Sequence, residues 1–190
     1  MNIRIATIKD VDQLCKIGKT TFVETYGEQN TPENLQDYLK EKFNKEQILD
    51  EIHTPKTIFL LVELENEVIG YAKMRLNLVE NPDVKSLEIE RIYIIKDYHG
   101  QKYGAMLMQI CIDVAIKNDY ESLWLGVWEH NPKAINFYQK WGFETFGKHI
   151  FQLGDDAQTD FLMKRHLHSL CEFLEKVNHK IPAVGGDFCL

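Results

Sequence analysis

A bend with two glycines and a lysine, between an apolar strand and an apolar helix, is the first feature of the sequence that could do chemistry. The stretch is YHGQKYGAML, residues 98–107, and its helix is predicted to begin near Gly104. A helix N-terminus carries about half a positive charge and unpaired N–H donors, so it can bind phosphate oxygens. Gly100 lets backbone come close to a ligand, and Lys102 adds a cation. The bend is therefore a candidate phosphate site, with an ordinary turn as the alternative. It fits neither the Walker loop nor the dinucleotide fingerprint.

The strand before the bend, SLEIERIYII over residues 86–95, changes the parity of its apolar side chains. Four residues show the change: Leu87 and Ile89 on one parity, Ile92 and Ile94 on the other. An inserted residue would explain this, so the pattern predicts a β-bulge near Glu90 and Arg91. Such a bulge would splay the strand and leave backbone groups free for a ligand. The alternative is a strand buried on both faces, in which Tyr93 and Ile95 also pack.

The elements that must position this bend indicate an α+β fold. In chain order they are a strand (residues 2–8), a helix after Asp10, a helix beginning at Pro32 after the N-cap Thr31, a short helix (44–52), a hairpin (56–79), a strand (85–95), a helix from Gly104, a strand (122–128), a short helix from Pro132 and two strands (144–154 and 159–167). Runs of strands followed by a strand–helix–strand unit predict a single domain with a mixed, largely antiparallel sheet flanked by helices.

Composition limits the classes of partner. The chain has 190 residues and a formal net charge of -7, so we expect no general attraction to nucleic acid or to an anionic membrane. A small cationic ligand would suit that charge, although mild acidity is also an ordinary solubility feature. The N-terminus lacks an apolar signal core, which predicts a cytoplasmic protein. The histidines and four scattered cysteines show no zinc or disulfide spacing, so we expect reduced thiols and no metal.

A second motif identifies a family. The stretch NPKAINFYQKWGF, residues 131–143, matches the pattern N-x-x-A-x-x-F-Y-x-x-x-G-F of the Gcn5-related N-acetyltransferase family, GNAT. The bend resembles that family's Q/R-x-x-G-x-G/A motif, which binds the pyrophosphate of acetyl-CoA. His99 replaces the Gln or Arg, Lys102 replaces the first glycine, and Gly104 matches. The resemblance implies a GNAT fold over residues 1–167. Residues 168–190 form an extension of unknown role, with one predicted helix over residues 169–178.

The resemblance also implies roles for individual residues. The family transfers acetyl directly from acetyl-CoA to a primary amine, and its cosubstrate contacts fall here on Ile92, Tyr93, Ile94, His99, Gly100, Gln101, Lys102, Tyr103, Gly104, Asn131 and Tyr138. Tyr138 matches the general acid that protonates the departing CoA thiolate, and Asn131 would also cap its helix. A polyamine nitrogen is protonated at neutral pH, so a base is needed. Glu90, acting through water, is the candidate, with Glu88 as the alternative.

Within the family the chain is similar to the PaiA-like branch, bacterial enzymes that acetylate spermidine and spermine. FVETYGEQNTPENLQDYL and LGDDAQTDFLM carry this similarity. It implies a polyamine acceptor, whose remaining ammonium groups would meet Glu24 and Glu28. Another amine (a protein N-terminus, lysine or an aminoglycoside) and a non-catalytic acyl-CoA-binding module are the alternatives. The expected state is a monomer or homodimer.

Overall fold

One sheet organises the protein. The computed structural model describes residues 1–81, 83–153 and 156–167, so the predicted helix over 169–178 and the proposed extension lie outside the described residues. The described strands are β1 (Asn2–Ile5), β2 (Ile58–Leu64), β3 (Glu67–Arg75), β4 (Ser86–Ile94), β5 (Ser122–Trp128), β6 (Glu144–Leu153) and β7 (Asp156–His166). The described helices are α1 (Val11–Tyr26), α2 (Pro32–Lys42), α3 (Lys45–His53), α4 (Tyr103–Lys117) and α5 (Pro132–Lys140).

The strand order is β1-β2-β3-β4-β5-β7-β6, and every neighbouring pair is antiparallel except β4 with β5. This is the mixed, largely antiparallel α+β sheet that the sequence predicts. One face of the sheet packs on α4 and α5, around Leu107 and Met108. The other face packs on the first three helices, around Phe22 and Phe43. No helix in the described ranges has both the length and the apolar character to cross a membrane.

Local signals place the helix starts. Thr31 caps α2 by accepting a hydrogen bond from the Asn34 N–H, and Pro32 occupies the first turn, as predicted. Asp10 stands at the N-cap position of α1 but makes no side-chain cap there. Its carboxylate instead accepts two hydrogen bonds from the Arg4 guanidinium, at 2.7 and 2.9 Å. Both carboxylate oxygens of Asp10 are therefore bound to Arg4 of β1, and Asp10 does not cap α1 with its side chain as the sequence had predicted.

Two strand boundaries differ from prediction. β1 ends at Ile5 because the Thr7 hydroxyl accepts from the Lys9 N–H and begins a 3-10 turn. β7 begins at Asp156, before the predicted start at residue 159. Buried Gln158 pairs with Phe151 of β6 inside that strand, where the polar sequence had indicated a turn. Ladder pairing thus prevails over the local turn propensity.

The predicted bulge in β4 is confirmed. Lys73 of β3 pairs with Arg91 and the next residue, Met74, pairs with Ile89, so Glu90 is the extra residue. The apolar residues before the bulge (Leu87 and Ile89) and after it (Ile92 and Ile94) therefore pack on the same face of the sheet, the face that α4 covers. The alternative is also correct in part, because Tyr93 packs on the opposite face. The bulge and burial on both faces coexist in one strand.

Candidate active site

Beside the bulge, β4 and β5 separate. Their parallel pairing in the described chain covers three positions, from Ser86 with Ser122 to Glu88 with Trp124. Beyond Glu88 the edge of β4 that faces β5 forms no ladder with it, while its other edge stays paired with β3 as far as Ile94. Backbone N–H and C=O groups of this half-strand are obligatory hydrogen-bonding groups, and here they line a cleft. The splayed strand thus offers backbone contacts to a ligand.

The cleft has two connected parts. The large chamber, of about 720 Å³, lies between the second half of β4, the bend and α5. It brings together most of the predicted site residues: Glu24, Glu28, Glu90, Ile92, Tyr93, Ile94, His99, Gly100, Lys102, Tyr103, Gly104, Asn131 and Tyr138. Gln101 does not line it. Its exposed amide donates to the Asp97 carbonyl oxygen at 3.5 Å, on the outside of the bend.

The small chamber, of about 400 Å³, lies on the sheet face covered by α1–α3. Aromatic side chains form much of its wall: Phe22, Tyr26, Tyr38, Phe43, Tyr93 and Phe151. Glu88, the alternative base, lies here rather than in the large chamber. Gly126 of β5 lines both chambers, as do Tyr26 and Glu90. The two chambers therefore meet at the point where β4 and β5 part.

The bend has the geometry of an anion site. Within the described chain no side chain caps α4, and the first helical hydrogen bond runs from the Met106 N–H to the Lys102 carbonyl. The N–H groups before Met106 therefore make no hydrogen bond within the helix. Two of the residues that carry them, Tyr103 and Gly104, line the large chamber. His99 Nε2 donates to the Ile94 carbonyl oxygen at 2.7 Å, which ties the bend to the end of β4. These features suit phosphate oxygens.

The unusual Lys102 occupies a position suited to glycine. Its φ of 68° lies in the left-handed region, which disfavours side chains. We predict that Lys102→Gly stabilises the fold by roughly 0.5–1 kcal/mol, since relief of backbone strain exceeds the added chain entropy. The same change weakens acetyl-CoA binding, most strongly at low salt, because it removes a cation from the phosphate site.

Lys102→Ala is the matched control for this prediction, because it removes the charge and keeps the strained backbone. Urea unfolding and CoA titration at two salt concentrations separate the two effects. Equal stability of the Gly and Ala variants would contradict the strain argument.

Glu90 lies among cations. Its Oε2 is 2.7 Å from Lys73 Nζ and 3.0 Å from Arg75 Nε, and its Oε1 is 3.3 Å from an Arg91 nitrogen. Glu88 is held by Arg75 as well, at 2.6 Å. A substrate ammonium approaching Glu90 meets a carboxylate whose charge is already compensated. These ion pairs hold the bulged residue in place and direct its carboxylate toward the three cations.

Tyr138 projects from α5 toward the large chamber. It is half-buried, and its ring centroid lies 5.9 Å from that of Phe143. Burial raises the pKa of its hydroxyl well above the ordinary value, so it stays protonated at neutral pH. Asn131 caps the same helix, its Oδ1 accepting from the Ala134 N–H at 3.1 Å, as the sequence predicts. The motif of residues 131–143 therefore presents a proton donor to the cleft.

Two residues of the small chamber were missed in the sequence, Asp160 of β7 and His149 of β6. They are direct cross-strand partners. Only Gly126 could have pointed to them, because a glycine within a strand often marks the close approach of another group. Here a Cβ on Gly126 would lie 3.3 Å from Asp160 Oδ2 and 3.4 Å from His149 Cε1.

Comparison with known proteins agrees with this geometry. The model of the acetyltransferase (GNAT) family matches residues 13–143. An uncharacterized N-acetyltransferase from Lactobacillus delbrueckii subsp. lactis is 38% identical over 161 residues, which cover 84% of this chain and 93% of the relative. An N-alpha-acetyltransferase from Sulfurisphaera tokodaii is 30% identical over 82% of this chain and 88% of its own. A spermidine N(1)-acetyltransferase from Thermoplasma acidophilum is 24% identical over 89% of this chain and 99% of its own.

A solved structure shows the same fold. The PaiA N-acetyltransferase from Thermoplasma acidophilum, in complex with coenzyme A, superposes with a TM-score of 0.72 at 23% identity, over 87% of this chain and 99% of that one. The sheet order, the splayed strands and the bend before α4 thus accompany a family match over most of the chain. The chain belongs to the GNAT family and is an acetyl-CoA-dependent N-acetyltransferase.

Proposed function

We propose that the enzyme acetylates a primary amine of a polyamine such as spermidine or spermine. The observation that carries the proposal is an excess of acid in the small chamber. Four carboxylates line it, from Glu80, Glu88, Glu90 and Asp160, against the guanidinium groups of Arg75 and Arg91. Glu88 and Glu90 are ion-paired, whereas Glu80 and Asp160 have no Lys or Arg within 4 Å among the described residues. Two uncompensated carboxylates suit a substrate with several ammonium groups.

On the donor side, residues of the large chamber fit acetyl-CoA. The free N–H groups at the start of α4 and the Lys102 ammonium would hold its phosphates, and the backbone of Ile92–Ile94 its pantetheine arm. Bound there, acetyl-CoA supplies an activated acetyl thioester. Backbone N–H groups of the splayed strand would polarise the thioester carbonyl, in the manner of an oxyanion hole. Tyr138 would donate its proton to the sulfur as the C–S bond breaks.

The proposed contacts of Glu24 and Glu28 lie at the rim of the large chamber. Both side chains are exposed, and Glu24 Oε2 accepts a hydrogen bond from the Lys96 N–H at 2.9 Å. Glu24 therefore also helps to fix the bend. In our proposal one distal ammonium group of a long acceptor reaches these two carboxylates and another reaches Glu80, while the reacting nitrogen enters between the chambers.

An N-terminal amine is the second candidate acceptor. The N-alpha-acetyltransferase from Sulfurisphaera tokodaii is more similar to this chain than the spermidine enzyme is, at 30% against 24% identity. A peptide N-terminus carries one ammonium group, so it would leave one of the two uncompensated carboxylates without a partner. The charge of the small chamber is the reason for placing the polyamine first.

The decisive measurement is the steady-state release of CoA thiol from acetyl-CoA with different amines. Spermidine and spermine are compared with free lysine, an aminoglycoside and peptides with a free N-terminus. A higher kcat/KM for the polyamines supports the proposal. A preference for a peptide or another amine would keep the donor side and overturn the polyamine assignment. Binding of acetyl-CoA without turnover would indicate a non-catalytic module.

Glu80 provides a charge test of the acceptor class. We predict that Glu80→Gln raises KM for spermidine roughly threefold to tenfold with little change in kcat, because it removes one carboxylate that contacts a distal ammonium. A monoamine of similar length should show no such change. Equal effects on both amines would mean that Glu80 acts on the fold of its loop and not on substrate charge.

A further inference from the structure

Gly126 lies where the two chambers meet, and the side chains of Asp160 and His149 lie over its backbone. A Cβ at this position would lie 3.3 Å from Asp160 Oδ2 and 3.4 Å from His149 Cε1. Any larger residue would therefore push against the carboxylate and fill the junction. The glycine leaves room for a ligand atom to stand beside Asp160 while reaching the splayed end of β4.

His149 adds an observation that points to a ligand. Its Nδ1 is buried and has no hydrogen-bond partner among the residues that the structure describes. Buried polar atoms are normally hydrogen-bonded, so an atom left without a partner at a chamber wall suggests that a substrate or water completes it. His149 pairs directly with Asp160 across β6 and β7. The Asp160 carboxylate and the Cε1 edge of the His149 ring thus meet at the same junction, and the unsatisfied Nδ1 is bonded to that Cε1.

The surroundings of Asp160 differ from those of Glu90. Glu90 contacts three cationic side chains, whereas Asp160 has no Lys or Arg within 4 Å in the described ranges. The titratable groups that interact with Asp160 are Tyr26 of α1, Tyr93 of β4, His149 of β6 and Glu129 after β5. Burial raises the pKa of its carboxyl to about 6, with His149 acting in the opposite direction and Glu129 in the same one. It is ionised at neutral pH, yet retains affinity for a proton.

We propose that Asp160, with His149 beside it, takes the proton from the ammonium group of the acceptor and thereby replaces Glu90 as the catalytic base. This inference rests on the proposed amine acetylation. The N–H bond breaks, an O–H bond forms on Asp160, and the free amine attacks the thioester carbon. As the C–S bond breaks, Tyr138 protonates the sulfur and recovers the second proton of the nitrogen. The proton on Asp160 then passes to solvent, so that charge and atoms balance.

The test is Asp160→Asn in the full chain, with kcat and KM followed from pH 5 to 9 for the best acceptor of the wild type. We expect kcat to fall about a hundredfold, the loss typical of a missing general base, and the acid limb near pH 6 to disappear. Asp156→Asn on the same strand is the matched control and should keep wild-type kinetics. A β,β-difluorinated acceptor, assayed at a pH above the pKa of its own amine, should restore most of the lost rate, because its amine is already neutral and needs no base.

Stability separates this role from a structural one. The raised pKa means that the folded state resists ionisation, so the contribution of Asp160 to stability is full below about pH 4 and is lost as the pH rises through about 6. Asp160→Asn should therefore unfold at the same or a higher temperature than the wild type at pH 7.5.

Three results would overturn the inference: an unchanged rate and pH profile in the variant, the same defect with the fluorinated acceptor, or a similar loss in Glu90→Gln but not in Asp160→Asn. In all three the wild type still acetylates amines, so the proposed function stands. If the wild type acetylates none of the amines, the proposed function fails and this inference fails with it.

Discussion

Tyr138→Phe is expected to lower kcat by about 10²–10⁴-fold, the range typical of a lost general acid, while acetyl-CoA binds within about threefold of the wild-type affinity. The change removes one oxygen and keeps the ring that packs on Phe143 in the wall of the large chamber. Phenylalanine fills the same space, so the core and the backbone at the start of α4 stay in place. Only the hydrogen bond to the departing sulfur is lost.

The pH dependence sharpens this prediction. Because burial raises the pKa of the Tyr138 hydroxyl well above its ordinary value, ionisation of Tyr138 should not limit kcat of the wild type below pH 9. Complete loss of the proton would leave a tyrosinate in an apolar wall, which burial disfavours. The hydroxyl is therefore expected to donate its proton only as negative charge develops on the sulfur, and to regain one at once.

Tyr120→Phe is the matched control. Tyr120 is also a partly buried tyrosine whose pKa is raised by burial, and it packs on the same core face, but it lines neither chamber. Its variant should keep wild-type kcat. Rates for Tyr138→Phe within threefold of wild type would mean that the thiolate leaves without this acid or takes its proton from another group.

Short-range signals in the sequence located the structural features on which the proposed donor side depends. The glycine-containing bend, the parity change in β4 and the motif around Tyr138 each depend on residues a few positions apart, and each is found where predicted. The conformation of Lys102 could not be read in this way. Lys102 adopts the turn conformation that glycine normally makes, and the resulting backbone strain is visible only in its φ of 68°.

The acceptor side depends on contacts between distant segments, which sequence spacing cannot show. Glu90 has the type and place of a base, but Lys73 and Arg75 reach it from β3 and compensate its charge. Asp160 looks like a polar residue near a turn, and becomes half-buried only because β7 lies between β5 and β6. The prediction of a base on β4 therefore follows the pattern of the family, whereas our proposal of a base on β7 depends on contacts between strands that are distant in sequence.

The largest expected effect on stability is at Arg91, in the ion network beneath the bulge. The network contains three acids and three bases: Glu51, Glu88, Glu90, Lys73, Arg75 and Arg91. Arg91 is 7% exposed. Its two terminal nitrogens donate to the two carboxylate oxygens of Glu51 at 3.0 and 3.1 Å, and its guanidinium lies 4.9 Å from the centre of the Phe43 ring. It therefore links α3 and α2 to the bulged strand.

Arg91→Met is expected to destabilise the fold by about 3–5 kcal/mol, measured by urea unfolding, because it leaves buried Glu51 and Glu90 with too little positive charge. Removing both partners, in Arg91→Met with Glu51→Leu, leaves two acids and two bases and should recover at least about half of that loss. Arg91→Lys should recover less than the double variant, since an ammonium cannot form the two parallel bonds to Glu51.

A single variant within about 1 kcal/mol of wild type would show that water reaches the network and screens Glu51. The expected outcome has a consequence for catalysis. The network fixes the extra residue at Glu90, and that residue turns the backbone of Ile92–Ile94 toward the cleft, so Arg91→Met should also raise KM for acetyl-CoA. The double variant should restore stability more fully than KM, because neutralising the charge does not rebuild the two bonds that hold Arg91 and the bulge in place.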